Sequence, residues 1–149
     1  MSDADLINLY SNRILELAAD IPLNRRLEVP DATVKRRSPL CGSTVTVDVI
    51  LKDGRIAEFG QDVKACALGQ ASASVVAANI IGRSRTEVER ARDQLSVMLK
   101  EGGPAPDAPF DALEVLLPAR DYKNRHASIM LALEATTEAM AEAEAAKTA

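Results

Sequence analysis

A chain of 149 residues, 47% hydrophobic and 27% charged, is long enough to bury one core without disulfide staples and has the balance of a single soluble domain over 1–149. Aromatics make up only 3% with no Trp, and the net charge is −4 with an isoelectric point near 5.1. That excludes base-stacking platforms for nucleic acid and bulk attraction to polyphosphate or an anionic membrane.

Read in chain order, the first predicted element is a helix over residues 3–19, where Ile7, Tyr10, Ile14 and Leu17 recur at helical spacing after a capping-box-like Ser2 and Asp5. Residues 20–40 read as irregular, because Pro22, Pro30 and Pro39 forbid a long helix. A third strand is expected before the hairpin, around Leu27–Lys35. The cluster Lys35-Arg36-Arg37 reads as a solvated loop or as a docking point for an acidic partner. From Thr44 to Val49 the chain alternates and is β-branched, which predicts a strand. Asp53-Gly54 is a hairpin turn signal, and Arg55 to Phe59 return as the partner strand.

A small-residue helix is expected over 67–81, ended by Gly82. Ser84-Arg85-Thr86-Glu87 is a capping box for the next helix, which carries Val88, Ala91, Leu95 and Met98 and stops at Gly102-Gly103. A short helix over 110–117 and a final helix from Asn124 follow, with residues 141–149 expected to fray. The predicted class is α+β: a small antiparallel three-stranded sheet with helices packed on one face. The most apolar stretch, Val63 to Gly82, is interrupted by Lys64, Gln70, Ser72, Ser74 and Asn79 and cannot cross a bilayer cheaply. Met1 leads into an acidic amphipathic segment rather than a signal peptide, so the expected setting is the cytoplasm, with no membrane partner.

Two cysteines make no disulfide framework, and in a reducing compartment they stay available for metal or sulfur. Cys41 precedes the first hairpin strand and Cys66 follows the second, so the hairpin can return both thiols to one sheet edge. Cys66 also starts a predicted helix, whose unpaired N–H groups and dipole favour a thiolate. His126, the single histidine, heads the stripe His126, Met130, Leu133, Thr137, Met140 and would add a nitrogen ligand suited to zinc or iron. The competing readings are ordinary ones: cysteine as a small buried hydrophobe, histidine as a core residue, Ser72 and Ser74 as packing residues. No catalytic triad order, P-loop or dinucleotide fingerprint is present.

At these same residues the sequence resembles the iron–sulfur cluster assembly scaffolds (the IscU/SufU-like, NifU N-terminal family). The shared landmarks are Cys41-Gly42-Ser43, Asp53-Gly54, Cys66-Ala67-Leu68 leading into Ala71-Ser72-Ala73-Ser74, Ile81-Gly82-Arg83-Ser84, Leu117-Pro118-Ala119-Arg120 and Arg125-His126-Ala127-Ser128. The similarity spans about residues 40–135, and residues 1–40 match poorly. The resemblance implies a non-enzymatic scaffold or carrier that holds iron, or a [2Fe–2S] or [4Fe–4S] cluster, at Cys41, Cys66 and His126. It also implies a cysteine desulfurase as sulfur donor and apo iron–sulfur proteins as recipients. The alternatives are a zinc-bound, sulfurtransferase-like acceptor using Cys66, and a degenerate metal-free binding module. Two departures stand out. The family aspartate after Cys-Gly is Ser43, and the third cysteine is absent: either His126 replaces it, or His126 matches a preceding family histidine and Ala127 stands in its place. Three strong ligands suit a labile site whose open position is filled by water, a second subunit of a homo-oligomer, Asp62, Ser43 or a sulfur donor.

Overall fold

Asp53 and Gly54 take φ of 54° and 77°, the paired left-handed residues that a two-residue hairpin turn requires, and the sheet is built outward from them. The computed structural model describes residues 11–39 and 42–148. In it the chain runs α1 (Asn12–Ala19), β1 (Ala32–Arg37), β2 (Thr44–Lys52), β3 (Arg55–Lys64), α2 (Ala67–Asn79), α3 (Arg85–Glu101), a 3₁₀ segment (Asp111–Asp121) and α4 (Lys123–Thr148). The expected α+β class and three-stranded antiparallel sheet are observed, in the order β1-β2-β3. Arg37 pairs with Thr44, and Thr44 with Lys64, so all three strands are in register at one end.

Strand alternation sends Val45, Val47, Val49 and Leu51 to one face, where all four are buried. Helix α4 lies on that face against β1 and β2, and α2 and α3 pack on α4. Being covered on both sides, α4 buries Ile129, Leu131, Leu133, Ala135, Met140 and Ala143 from nearly every direction, as a helix apolar all round must. Among the described residues, no helix is long and apolar enough to cross a membrane.

The opposite face carries Asp48, whose side chain is fully buried. Arg26 donates to it twice, at 2.6 and 3.1 Å, the Leu27 N–H donates at 3.0 Å, and the Thr33 hydroxyl donates as well. Burial alone would raise the Asp48 carboxyl, but these donors together hold it below the ordinary carboxylate range. Residues 25–27 cross this face over Gly60. A Cβ there would meet the Arg25 carbonyl oxygen at 2.4 Å and the Leu27 nitrogen at 3.0 Å, so only glycine admits the crossing.

Several expectations need correction. Within the described residues the first helix starts at Asn12, with the Ser11 hydroxyl accepting from the Ile14 N–H; Ser2, Asp5, Ile7 and Tyr10 lie outside them. The span 20–40 is not irregular throughout, since β1 occupies Ala32–Arg37 between the prolines. Lys35-Arg36-Arg37 is therefore strand, not loop, and Arg36 bonds Glu138 at 3.0 Å. The region around 110–117 is a 3₁₀ segment extending to Asp121, with Pro118 inside it. The C-terminal tail does not fray at 141: α4 continues to Thr148, Ala143 is buried, and Lys147 reaches Asp31 at 3.2 Å and the Leu51 carbonyl.

Candidate functional site

Cys66 is the N-cap of α2, with extended backbone (φ −67°, ψ 169°) and no side-chain cap bond. Its thiol is therefore free of the helix it begins. It faces α4 instead, where Sγ lies 3.4 Å from Ser128 Oγ. Ser128 in turn donates to Ser43 Oγ at 3.1 Å. Ser43 stands just before β2, and both serines are buried while Cys66 is half-buried. A thiol and two hydroxyls, from three separate parts of the chain, thus form one hydrogen-bonded line.

Glycine makes this line possible. A Cβ on Gly69, one turn into α2, would sit 2.6 Å from Ser128 Oγ and 2.9 Å from the Ala65 Cβ. Its absence lets α2 and α4 approach until Ser128 reaches Cys66. The Ser72 hydroxyl then donates to the Ile129 carbonyl at 2.7 Å and fixes the two helices at that level. The expectation that Ser72 packs rather than reacts agrees with this bond.

Cys41 lies outside the described residues. Its neighbours show how the segment returns: the Ser38 N–H donates to the Ser43 carbonyl at 2.8 Å, and the Gly42 N–H donates to the Ser38 carbonyl at 3.0 Å. Gly42 has φ of 69°, a left-handed conformation that glycine takes without strain. The loop is closed at its base beside Ser43.

His126 is placed differently from its expected role. Its Nε2 lies 3.1 Å from the Ala119 carbonyl and 3.0 Å from the Arg120 carbonyl. Both partners are acceptors, so Nε2 carries the proton and only Nδ1 keeps a lone pair. The residue that the structure brings to Cys66 is Ser128, not His126. Positions two apart on an α-helix leave it about 200° apart, so one helix cannot aim both at the same thiol. The available signal was the helical phase of Arg125-His126-Ala127-Ser128: Ser128 shares a small-residue line with Ala132, Ala135 and Ala139.

Asp62 is likewise not brought to the thiol. It pairs across β2 with Thr46, on the face away from α4, and lies 3.8 Å from Lys64 Nζ. Among the described residues, no group of three or more His, Cys, Asp and Glu gathers to hold a metal ion. What the described residues offer is one thiol with two hydroxyls behind it.

Beside this site, a furrow of about 650 Å³ runs between the end of β1 and the end of α3, over the start of α4. His126 and Ala127 line it together with Arg37, Lys100 and Lys123.

Neither a family model nor a curated protein matches the chain. Solved structures do. A nitrogen-fixing NifU-like protein (N-terminal) from Brucella abortus is 45% identical, with a TM-score of 0.91, over 95% of this chain and 98% of that one. A protein assigned as an iron–sulfur cluster assembly scaffold of the SUF system, from the thermophile Fervidobacterium islandicum AW-1, shares the fold at 19% identity and a TM-score of 0.80, over 90% of this chain and 98% of that one.

Proposed function

Since the chain belongs to the NifU-like N-terminal family, which includes the IscU/SufU-like scaffolds, we propose that it is a non-enzymatic scaffold of iron–sulfur cluster assembly in the cytoplasm. Its cargo is iron or a labile cluster, [2Fe–2S] or [4Fe–4S], held by the thiolates of Cys41 and Cys66. A cysteine desulfurase supplies sulfur, and apo iron–sulfur proteins receive the product.

The observation that carries this reading is the line Cys66–Ser128–Ser43. It ties the half-buried thiol to Ser43, two residues after Cys41. The donor chemistry fits a loosely held cargo. Thiolates suit iron and zinc, whereas hydroxyls are weak ligands for either. Two thiolates backed by two hydroxyls leave coordination positions for sulfide or for a recipient's ligand, and both transfer and release need such positions. His126, whose Nε2–H is bonded to the Ala119 and Arg120 carbonyls, has only Nδ1 left to offer a metal, and its removal tests whether it does.

A second reading is a zinc-bound sulfur acceptor, favoured by the accessibility of Cys66. There the Cys66 thiolate attacks the outer sulfur of a desulfurase persulfide. Cys66 leaves as the persulfide and the desulfurase regains its thiolate.

Anaerobic reconstitution with iron and sulfide, followed by metal analysis and a visible spectrum, tests these readings. The scaffold reading expects sulfide-to-iron charge-transfer bands in the native chain, lost in both Cys41→Ser and Cys66→Ser. Stoichiometric zinc without colour selects the acceptor. A chain that takes up neither metal is a binding module, and both readings fail.

A further inference from the structure

We propose that the furrow between β1 and α3 docks an acidic segment of a partner protein, beside the loop that leads into β2. Charge marks the furrow as a docking surface whether or not Cys66 holds a metal. Four cations, Arg36, Arg37, Lys100 and Lys123, line the furrow against one carboxylate, Glu134. Of these cations, Arg36 is engaged, 3.0 Å from Glu138 and 4.0 Å from Glu134. Arg37, Lys100 and Lys123 are exposed, and none has an ion-pair partner among the described residues.

This positive end stands out on a protein of net charge −4. Further along α4, where Arg36 and Glu134 also line a second hollow, the charges are matched: Arg85 bonds Glu89 at 2.9 Å and Glu144 at 3.0 Å, and Arg92 bonds Asp93 at 3.0 Å. Three cations without an ion-pair partner among the described residues therefore share this furrow, which is bounded by Ser38 and Pro39 of the β1–β2 loop. The three cations come from three elements: the end of β1, the end of α3 and the start of α4. Half-buried Ala127 and Met130 lie in the furrow with them. Separated cations over an apolar floor match a segment that alternates carboxylates with apolar side chains. A single small anion needs donors converging on one point, and a single strand that stacks its bases needs aromatic faces, which are not among the residues lining this furrow.

A labelled peptide of about a dozen residues, long enough to span the furrow, with leucines spaced among glutamates, is the probe. Fluorescence anisotropy with the full chain should show binding that weakens as salt rises. Lys100→Glu with Lys123→Glu should weaken it at least about tenfold, and Lys52→Glu at the hairpin turn should change it less than about twofold. A melt by circular dichroism checks folding. If the double reversal unfolds, Lys100→Gln with Lys123→Gln should still weaken binding about threefold. Equal binding of a control peptide with glutamine for glutamate overturns the proposal, as does an unchanged affinity in the Lys100/Lys123 variants. Displacement of the peptide by citrate at equal carboxylate concentration would reassign the furrow to a small anion. Tighter binding of a single-stranded oligonucleotide would reassign it to nucleic acid.

Discussion

Asp48 and Cys66 flank the same sheet and are treated in opposite ways. Asp48 is fully buried, and four donors from Arg26, Leu27 and Thr33 meet its two oxygens. Cys66 is half-buried, and among the described residues a single hydroxyl is its hydrogen-bonding partner. Satisfying a buried charge completely locks a segment in place, whereas leaving a thiol with one weak partner keeps it available. The Asp48 side of the sheet maintains the fold. The Cys66 side leaves a thiol half-exposed.

The largest expected effect breaks the first half of that contrast. Asp48→Ala should cost about 3 kcal/mol in urea unfolding, because it strands buried donors and releases residues 25–27, while metal uptake per folded molecule stays unchanged. Because the Asp48 carboxyl is held below its unfolded value, its contribution is present above about pH 4 and is lost as pH falls through the folded value. The stability gap between the native chain and Asp48→Asn should therefore be full at neutral pH and shrink in acid. A gap that widened in acid would mean that the folded state raises the Asp48 carboxyl instead of lowering it.

Gly69→Ala should join the two regions in one variant. Its Cβ would force α2 from α4 at Ser128, costing about 2 kcal/mol, and would also separate Ser128 from Cys66. Metal release to a chelator should change with it. A stability loss with unaltered release would mean that Ser128 does not influence the thiol.

His126→Ala sharpens the division further. Removing a ring that holds the Ala119 and Arg120 carbonyls should cost about 1–2 kcal/mol in the metal-free chain. If the histidine serves only as this pin, release is unaffected. Release faster by about tenfold or more would instead identify Nδ1 as a ligand.

The smallest expected free-energy change lies at the open site itself. Ser128→Cys places a second thiol against Cys66 and should slow metal release about tenfold, or about 1.4 kcal/mol, without lowering the melting temperature of the metal-free chain. Ser43→Asp should act in the same direction, a carboxylate being a firmer ligand than a hydroxyl. If neither variant changes release, the metal does not sit beside Ser43 and Ser128.

What the chain determined by itself is local. The Asp53-Gly54 turn, the β2–β3 pair and the Ser84–Glu87 capping box, with reciprocal bonds at 3.3 and 3.2 Å, were legible because turns and caps are closed by residues within four positions of one another. Cys66 at a helix start was legible for the same reason. The tertiary structure alone decided which residue meets that thiol. Helical phase separates His126 from Ser128, but which of the two faces the thiol depends on the rotation of α4, set by Gly69 and by the Ser72–Ile129 bond from another helix. Residues 25–27 and Lys147 belong to the same class: each is held by partners about 20 and 96 residues away, at Asp48 and Leu51, and no local pattern encodes contacts across such separations.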